Sequence, residues 1–219
     1  MSFYTVKSDL GLLEKYRVAF QNVETQNEIS AVMAEYGYDA ALIVQGKSLL
    51  DNARFAYETN KREDDETRVI KKQLDEVIDQ LGKSYRLHRK KARVVYMNDT
   101  LTLSLLGIDK DVPEAYLPWL ETVRKFYVLA SSDGDIQQKL SRLKLDVHEL
   151  TDGLAKVDQI GQLRAEYLRE VGESQDATKA KDKAMAEISV WMSEFYSVAR
   201  IALSDKPQLL EAIGLKVRS

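Results

Sequence analysis

Lys91-Ala-Arg-Val-Val-Tyr-Met-Asn-Asp-Thr-Leu-Thr-Leu-Ser-Leu-Leu-Gly107-Ile108 stands near the middle of the chain. Val198-Ala-Arg-Ile-Ala-Leu-Ser-Asp-Lys-Pro-Gln-Leu-Leu-Glu-Ala-Ile-Gly214-Leu215 stands at its end. Ala92 and Ala199, Arg93 and Arg200, and Gly107 and Gly214 all fall at one and the same separation, with no gap needed. In both stretches an Ala-Arg pair leads into a polar cluster, a short apolar run and a closing glycine. Such a pattern is a helix end, a cap and a short helix.

The same spacing holds outward from there. Leu10, Leu13, Glu14 and Arg17 fall on Leu117, Leu120, Glu121 and Arg124, and Phe20 falls on Tyr127. Asp39, Gly46 and Asp51 meet Asp146, Gly153 and Asp158, while Arg62, Glu63 and Glu66 meet Arg169, Glu170 and Glu173. A constant period over most of a chain is the signature of an internal repeat. The expected architecture is a tandem duplication of a ~107-residue helical unit. Copy one is residues 1–110 and copy two is 111–219. No Pro-, Gly- or Ser-rich linker separates them, so one packed domain is expected rather than two beads.

Read together, the copies mark helix boundaries. Leu10, Leu13, Arg17 and Phe20 keep three- and four-residue spacing, so the first helix covers about 9–22. Pro113 suits the first turn of its counterpart. Thr25-Gln-Asn-Glu28 reads as a capping box for a short second helix that Gly37 stops, and Ser132 fills the capping place in copy two. Asp39 and Asp146 are expected to cap a third helix, along which Leu42, Ile43, Gly46, Leu50, Ala53 and Tyr57 form a seam. Gly46 and Gly153 leave room for a close neighbour. The charged run Lys61-Arg-Glu-Asp-Asp-Glu-Thr67, with Gly172 opposite Asp65, reads as a turn into a fourth and longest helix. Asn98 and Asp205 then cap a closing helix that ends at Gly107 or Gly214. The fold predicted is all-α: an up-and-down, four-helix-type bundle of two long helical hairpins plus short capping helices.

Composition narrows the function. Net charge is −3 and pI about 5.6, so the whole molecule does not attract nucleic acid or anionic membrane. There is no cysteine among 219 residues, which removes disulfides, thiolate catalysis and cysteine-ligated metals and suits a reducing compartment. No apolar run has the length of a membrane helix or a signal segment, and a cytoplasmic location is expected.

Few residues carry candidate chemistry. A di-iron-type bundle needs Glu-x-x-His pairs. Tyr85 precedes His88 by three and Leu145 precedes His148 by three, so neither histidine makes the motif. The sharpest charge feature is Arg86-Leu-His-Arg-Lys-Lys-Ala-Arg93. Its cations could grip an anion, although on a helix they are expected to wrap around the axis as a solvated face. The copy-two positions are mostly uncharged, so the run is peculiar to copy one. Arg93 and Arg200 recur and are expected to bind carbonyls or a carboxylate near the closing helix. Trp119, Trp191, Met192, Phe195 and Tyr196 read as an aromatic core cluster. His148, Asp51 and Asp158 read as solvated polar borders.

The functional expectation is a non-enzymatic cytoplasmic helical bundle that binds a protein partner or itself. The alternative is a bundle that holds a small ligand or metal between its hairpins. Arg86, His88, Arg89, Lys90, Arg93 and Arg200 are the candidate ligand- or partner-binding residues. No catalytic residue, cofactor, resident metal or nucleic acid is expected.

Overall fold

The structure is a computed structural model, which describes residues 8–216. Among these residues it is all-α, with eight helices and no strand. The helices are α1 (Asp9–Thr25), α2 (Asn27–Glu35), α3 (Ala40–Val95), α4 (Thr100–Leu105), α5 (Tyr116–Ser132), α6 (Gly134–Ser141), α7 (Val147–Ala202) and α8 (Pro207–Ala212). α3 and α7 are 56 residues each, and both ends of α7 follow those of α3 at the offset that separates Gly107 from Gly214.

Caps and stops account for the short elements. Ser8 accepts from the Gly11 amide at 3.2 Å and starts α1. Gly37, at φ +92°, ends α2, with the Tyr38 amide donating back to Met33 O at 3.0 Å. Asp39 then caps α3 by accepting from the Leu42 amide at 2.9 Å, and Asp146 caps α7 from the Glu149 amide at 2.9 Å. Gly107 and Gly214 take positive φ behind α4 and α8, as their places in the sequence require. Other expected caps move by a residue. Thr25 closes α1, donating its hydroxyl to Gln21 O at 2.9 Å, and Gln26 precedes α2. Asp133, not Ser132, caps α6, accepting from the Asp135 and Ile136 amides. Asp99, not Asn98, caps α4, and Lys206 precedes α8, with Pro207 in its first turn.

The expected turn at 61–67 does not exist. α3 runs through the charged segment and α7 runs through Gly172. The reason is local. Pairs such as Arg54–Glu58 at 2.7 Å and Lys71–Asp75 at 2.6 Å join i and i+4 along α3 on either side of the charged run, and within the run Glu63, Asp64 and Thr67 are half-buried. No proline interrupts it. A Cβ on Gly172 would meet open space, and a helical glycine costs about 1 kcal/mol relative to alanine without ending the helix. The two hairpins therefore give way to two continuous helices.

Residues divide into two compact units. Unit 1 comprises 1–65 and 172–219, and unit 2 comprises 66–171. Unit 1 holds α1, α2, α8, the first part of α3 and the last part of α7. α1 buries Leu13, Tyr16, Ala19, Phe20 and Val23, one helical stripe, against a core that includes Ile29, Met33, Met192 and Phe195. Asn22 fixes α8 by donating to Ala212 O at 2.6 Å. Unit 2 holds α4, α5, α6, the last part of α3 and the first part of α7. α5 buries Leu120, Val123, Phe126, Tyr127 and Ala130 against Leu81, Tyr85, Leu140 and Ile160.

Candidate functional site

The last three turns of α3, in unit 2, carry five of the six candidate residues. Tyr85, His88, Ala92 and Tyr96 point inward and are buried. Arg86, Lys90, Arg93, Val94 and Met97 are exposed, and Arg89 and Lys91 are half-buried between the two sets. At 100° per residue Arg86, Arg89, Lys90, Arg93 and Val94 occupy an arc of about 140°, and Met97 follows in the turn after α3. The cations do not wrap around the axis, as the sequence led us to expect; they form a stripe. Lys91 is the one that leaves it, donating to Lys144 O at 2.6 Å.

Arg89 reaches sideways. Its Nη2 donates to Ile108 O at 3.4 Å and to Lys110 O, which pins the segment that follows α4. Its Nε is buried without a hydrogen-bond partner, as is the Tyr85 hydroxyl. Burial pushes the Tyr85 phenol up, with the Arg89 charge opposing it.

His88 is 5% exposed, and its Nδ1 and the Tyr127 hydroxyl are hydrogen-bonded at 3.0 Å. Burial lowers the His88 pKa first; Glu149 and Asp152 pull the other way and Lys91 adds to the lowering. Burial also drives Tyr127 well above the usual phenol range. Both groups are neutral at neutral pH, so the pair ties α3 to α5. Tyr127 and Tyr85 escaped the sequence reading. The signal for Tyr127 was a coupled change: Phe20 and Phe195 of unit 1 stand where Tyr127 and His88 stand in unit 2.

The outward set lines a depression of about 470 Å³ whose walls are Arg86, Arg89, Lys90, Arg93, Val94 and Met97. A second depression, about 370 Å³, is lined by Ile78, Gly82, Tyr85, Arg86, Val112 and Trp119, among others. Aliphatic side chains stay exposed along this end of unit 2. Leu87 is 52% exposed, Val94 56%, Met97 69% and Leu101 70%.

The remaining candidates lie elsewhere. Arg200 belongs to unit 1, is exposed, and donates to Tyr196 O of its own helix at 3.4 Å. His148 is exposed in the first turn of α7. Asp158 is exposed and pairs with Arg124 at 3.2 Å. Trp191, Phe195 and Tyr196 are core aromatics of unit 1, with Trp191 stacked on Phe195 at 5.5 Å; Trp119 is in unit 2 and is not part of that cluster. The close approach at Gly46 is made by rings rather than a neighbouring backbone: a Cβ would meet Trp191 at 2.5 Å and Phe20 at 2.8 Å.

No helix among the described residues is long and apolar enough to cross a membrane. No protein-family model, curated protein or solved structure matches the chain.

Proposed function

We propose that this chain is a non-enzymatic, cytoplasmic interaction protein that presents helical faces to a protein partner. One observation carries the reading: Val94 and Met97, both exposed, line one depression at the end of α3, and Leu87, Leu101 and Leu105 nearby in sequence are exposed as well. Grouped exposed apolar residues mark interaction surfaces more often than scattered ones do. The cysteine-free composition suits a reducing compartment. The frame itself is read as a tandem duplication of residues 1–110 and 111–219, which the constant offset between the starts of all four helix pairs supports.

The test is affinity capture from the source cells followed by native mass spectrometry. Wild-type protein is compared with a Val94→Glu/Met97→Glu variant. The expected result is a defined polypeptide, or a defined multimer, that the variant loses. Recovery of bare 25.0 kDa chain from both would overturn the reading.

A second reading has its own support. The buried, unpartnered Tyr85 hydroxyl and Arg89 Nε are polar groups able to take up a small polar ligand. A small-molecule mass retained by wild type and lost in Tyr85→Phe would favour it.

A further inference from the structure

We propose that the outward stripe at the end of α3, Arg86, Lys90, Arg93 and Val94, with Met97 in the turn that follows it, docks an acidic amphipathic helix of a partner protein. The inference rests on the interaction reading above and names its surface and partner chemistry.

The charge arrangement comes first. Cations earlier in α3 have acids one turn away, as in Arg54–Glu58, Lys71–Asp75 and Lys83–Asp79. Among the described residues, Arg86, Lys90 and Arg93 make neither an ion pair nor a hydrogen bond. They face one another instead. Arg86 and Lys90 are at i,i+4, Lys90 and Arg93 at i,i+3, and Arg89 and Arg93 at i,i+4. Like charges at these spacings destabilise a helix by a few tenths of a kcal/mol per pair. In a chain of net charge −3, a stripe of like charge without internal neutralisation calls for an anionic occupant.

The spacing and the apolar neighbours select the kind of anion. Positions 86, 90 and 93 follow i, i+4 and i+7, which matches about two turns of a facing helix, and Met97 stands in the turn just beyond. Val94 and Met97 share the depression with the cations, so the occupant carries apolar anchors beside its acids. Single-stranded nucleic acid would use exposed rings for base stacking. The aromatic residue in these turns, Tyr96, is 3% exposed. A concave, side-chain-walled depression also fits an inserted side chain better than the surface of a bilayer. The matching positions in the second copy, Ser193, Ser197 and Arg200, hold one charge where the stripe holds three. The site is thus particular to unit 2.

The test is fluorescence anisotropy with the full chain. One probe is a helical peptide of about 20 residues with Glu at i, i+4 and i+7 flanking Leu anchors. The other has the same composition, scrambled. The patterned peptide is expected to bind at least about tenfold tighter than the scrambled one, and to weaken as salt rises from about 50 to 200 mM. Arg86→Glu/Lys90→Glu/Arg93→Glu is expected to lose that binding, and Met97→Asp to weaken it, with helical circular dichroism and melting unchanged because these side chains are exposed. Equal binding of both peptides, or full binding by the triple variant, would overturn the proposal. So would charge-dependent binding of oligo-dT, or of vesicles of phosphatidylcholine and phosphatidylglycerol, without peptide binding. A multimer that the triple variant abolishes, again without peptide binding, would replace the partner helix with a second copy. A native partner retained by the triple variant would sink this surface while leaving the interaction reading intact.

Discussion

Units 1 and 2 place different chemistry on the same helical frame. In unit 1, Gly46 of α3 lies under the rings of Phe20 and Trp191, and Trp191 stacks on Phe195, with Tyr38 edge-on to both. In unit 2, Gly153 of α7 lies under Tyr127, Leu145 stands where Tyr38 would, and His88 stands where Phe195 would. The first core is an aromatic stack. The second exchanges part of that stack for a neutral, hydrogen-bonded histidine–tyrosine pair. The glycine is needed in both because a ring occupies its side-chain position. The polar pair is tolerated because each buried group finds a partner; unpaired, either would cost about 1–3 kcal/mol.

The largest effect that separates the units from their exposed surfaces is at these glycines. A Cβ on Gly153 would overlap the Tyr127 ring, so Gly153→Ala is expected to lower stability by about 3 kcal/mol in denaturant unfolding. Gly46→Ala should behave alike. Gly172→Ala, in the same helix as Gly153 but with open space at its Cβ, should change sign and stabilise by up to about 1 kcal/mol. If Gly153→Ala were neutral, the ring would not be held there and the comparison would fail.

Next comes the polar pair. Tyr127→Phe leaves His88 Nδ1 without its partner and should cost about 1–3 kcal/mol. Adding His88→Phe to it makes unit 2 resemble unit 1 at both positions. A double-mutant cycle should therefore recover part of the loss, and strict additivity would mean that the pair is not coupled.

The same histidine sets a pH window. Its folded pKa is below 6.5, so the unfolded chain binds the proton first as pH falls through 6.5. Stability should be lost as pH drops below that value and be unaffected by this group above it. His88→Phe should flatten the chemical-denaturation midpoint between about pH 5 and 7 relative to wild type. An unchanged slope would show that His88 is not the group responsible.

The smallest effect is at Lys144, which the repeat register sets opposite Gly37 and which shares its left-handed backbone, at φ +54°. Lys144→Gly should stabilise by about 0.5–1 kcal/mol, since a side chain with a Cβ is strained there. The Lys91 hydrogen bond goes to the backbone carbonyl of Lys144 and survives the change. A lower melting temperature for Lys144→Gly would refute this.

What the sequence disclosed follows the range of the forces involved. Caps and stops act within four residues, so Asp39, Asp146, Gly37, Gly107 and Gly214 were legible from the chain alone. The break expected at 61–67 failed because a dense charged run can stand in a loop or in a helix, and with no proline there and i,i+4 pairs on both sides the helix continues. The stripe at 86, 90 and 93 was present in the numbering. It was obscured by Lys91, whose diversion to Lys144 O depends on α6 being nearby. The Tyr127–His88 bond joins residues 39 apart, and nothing local in either segment specifies the other. The paired substitutions relative to Phe20 and Phe195 were its one trace.

Unit 2 is a continuous stretch, 66–171, whereas unit 1 is closed only when 172–219 joins 1–65. During synthesis the earlier segment of unit 1 leaves the ribosome first and waits longest. Its buried faces, Phe20 and Met33 among them, stay uncovered until Met192 and Phe195 emerge. Residues 66–171 can mature while unit 1 is still incomplete, so a ribosome that stalls once residue 171 has cleared its exit tunnel would leave one finished core and one exposed half-core for chaperones to shield.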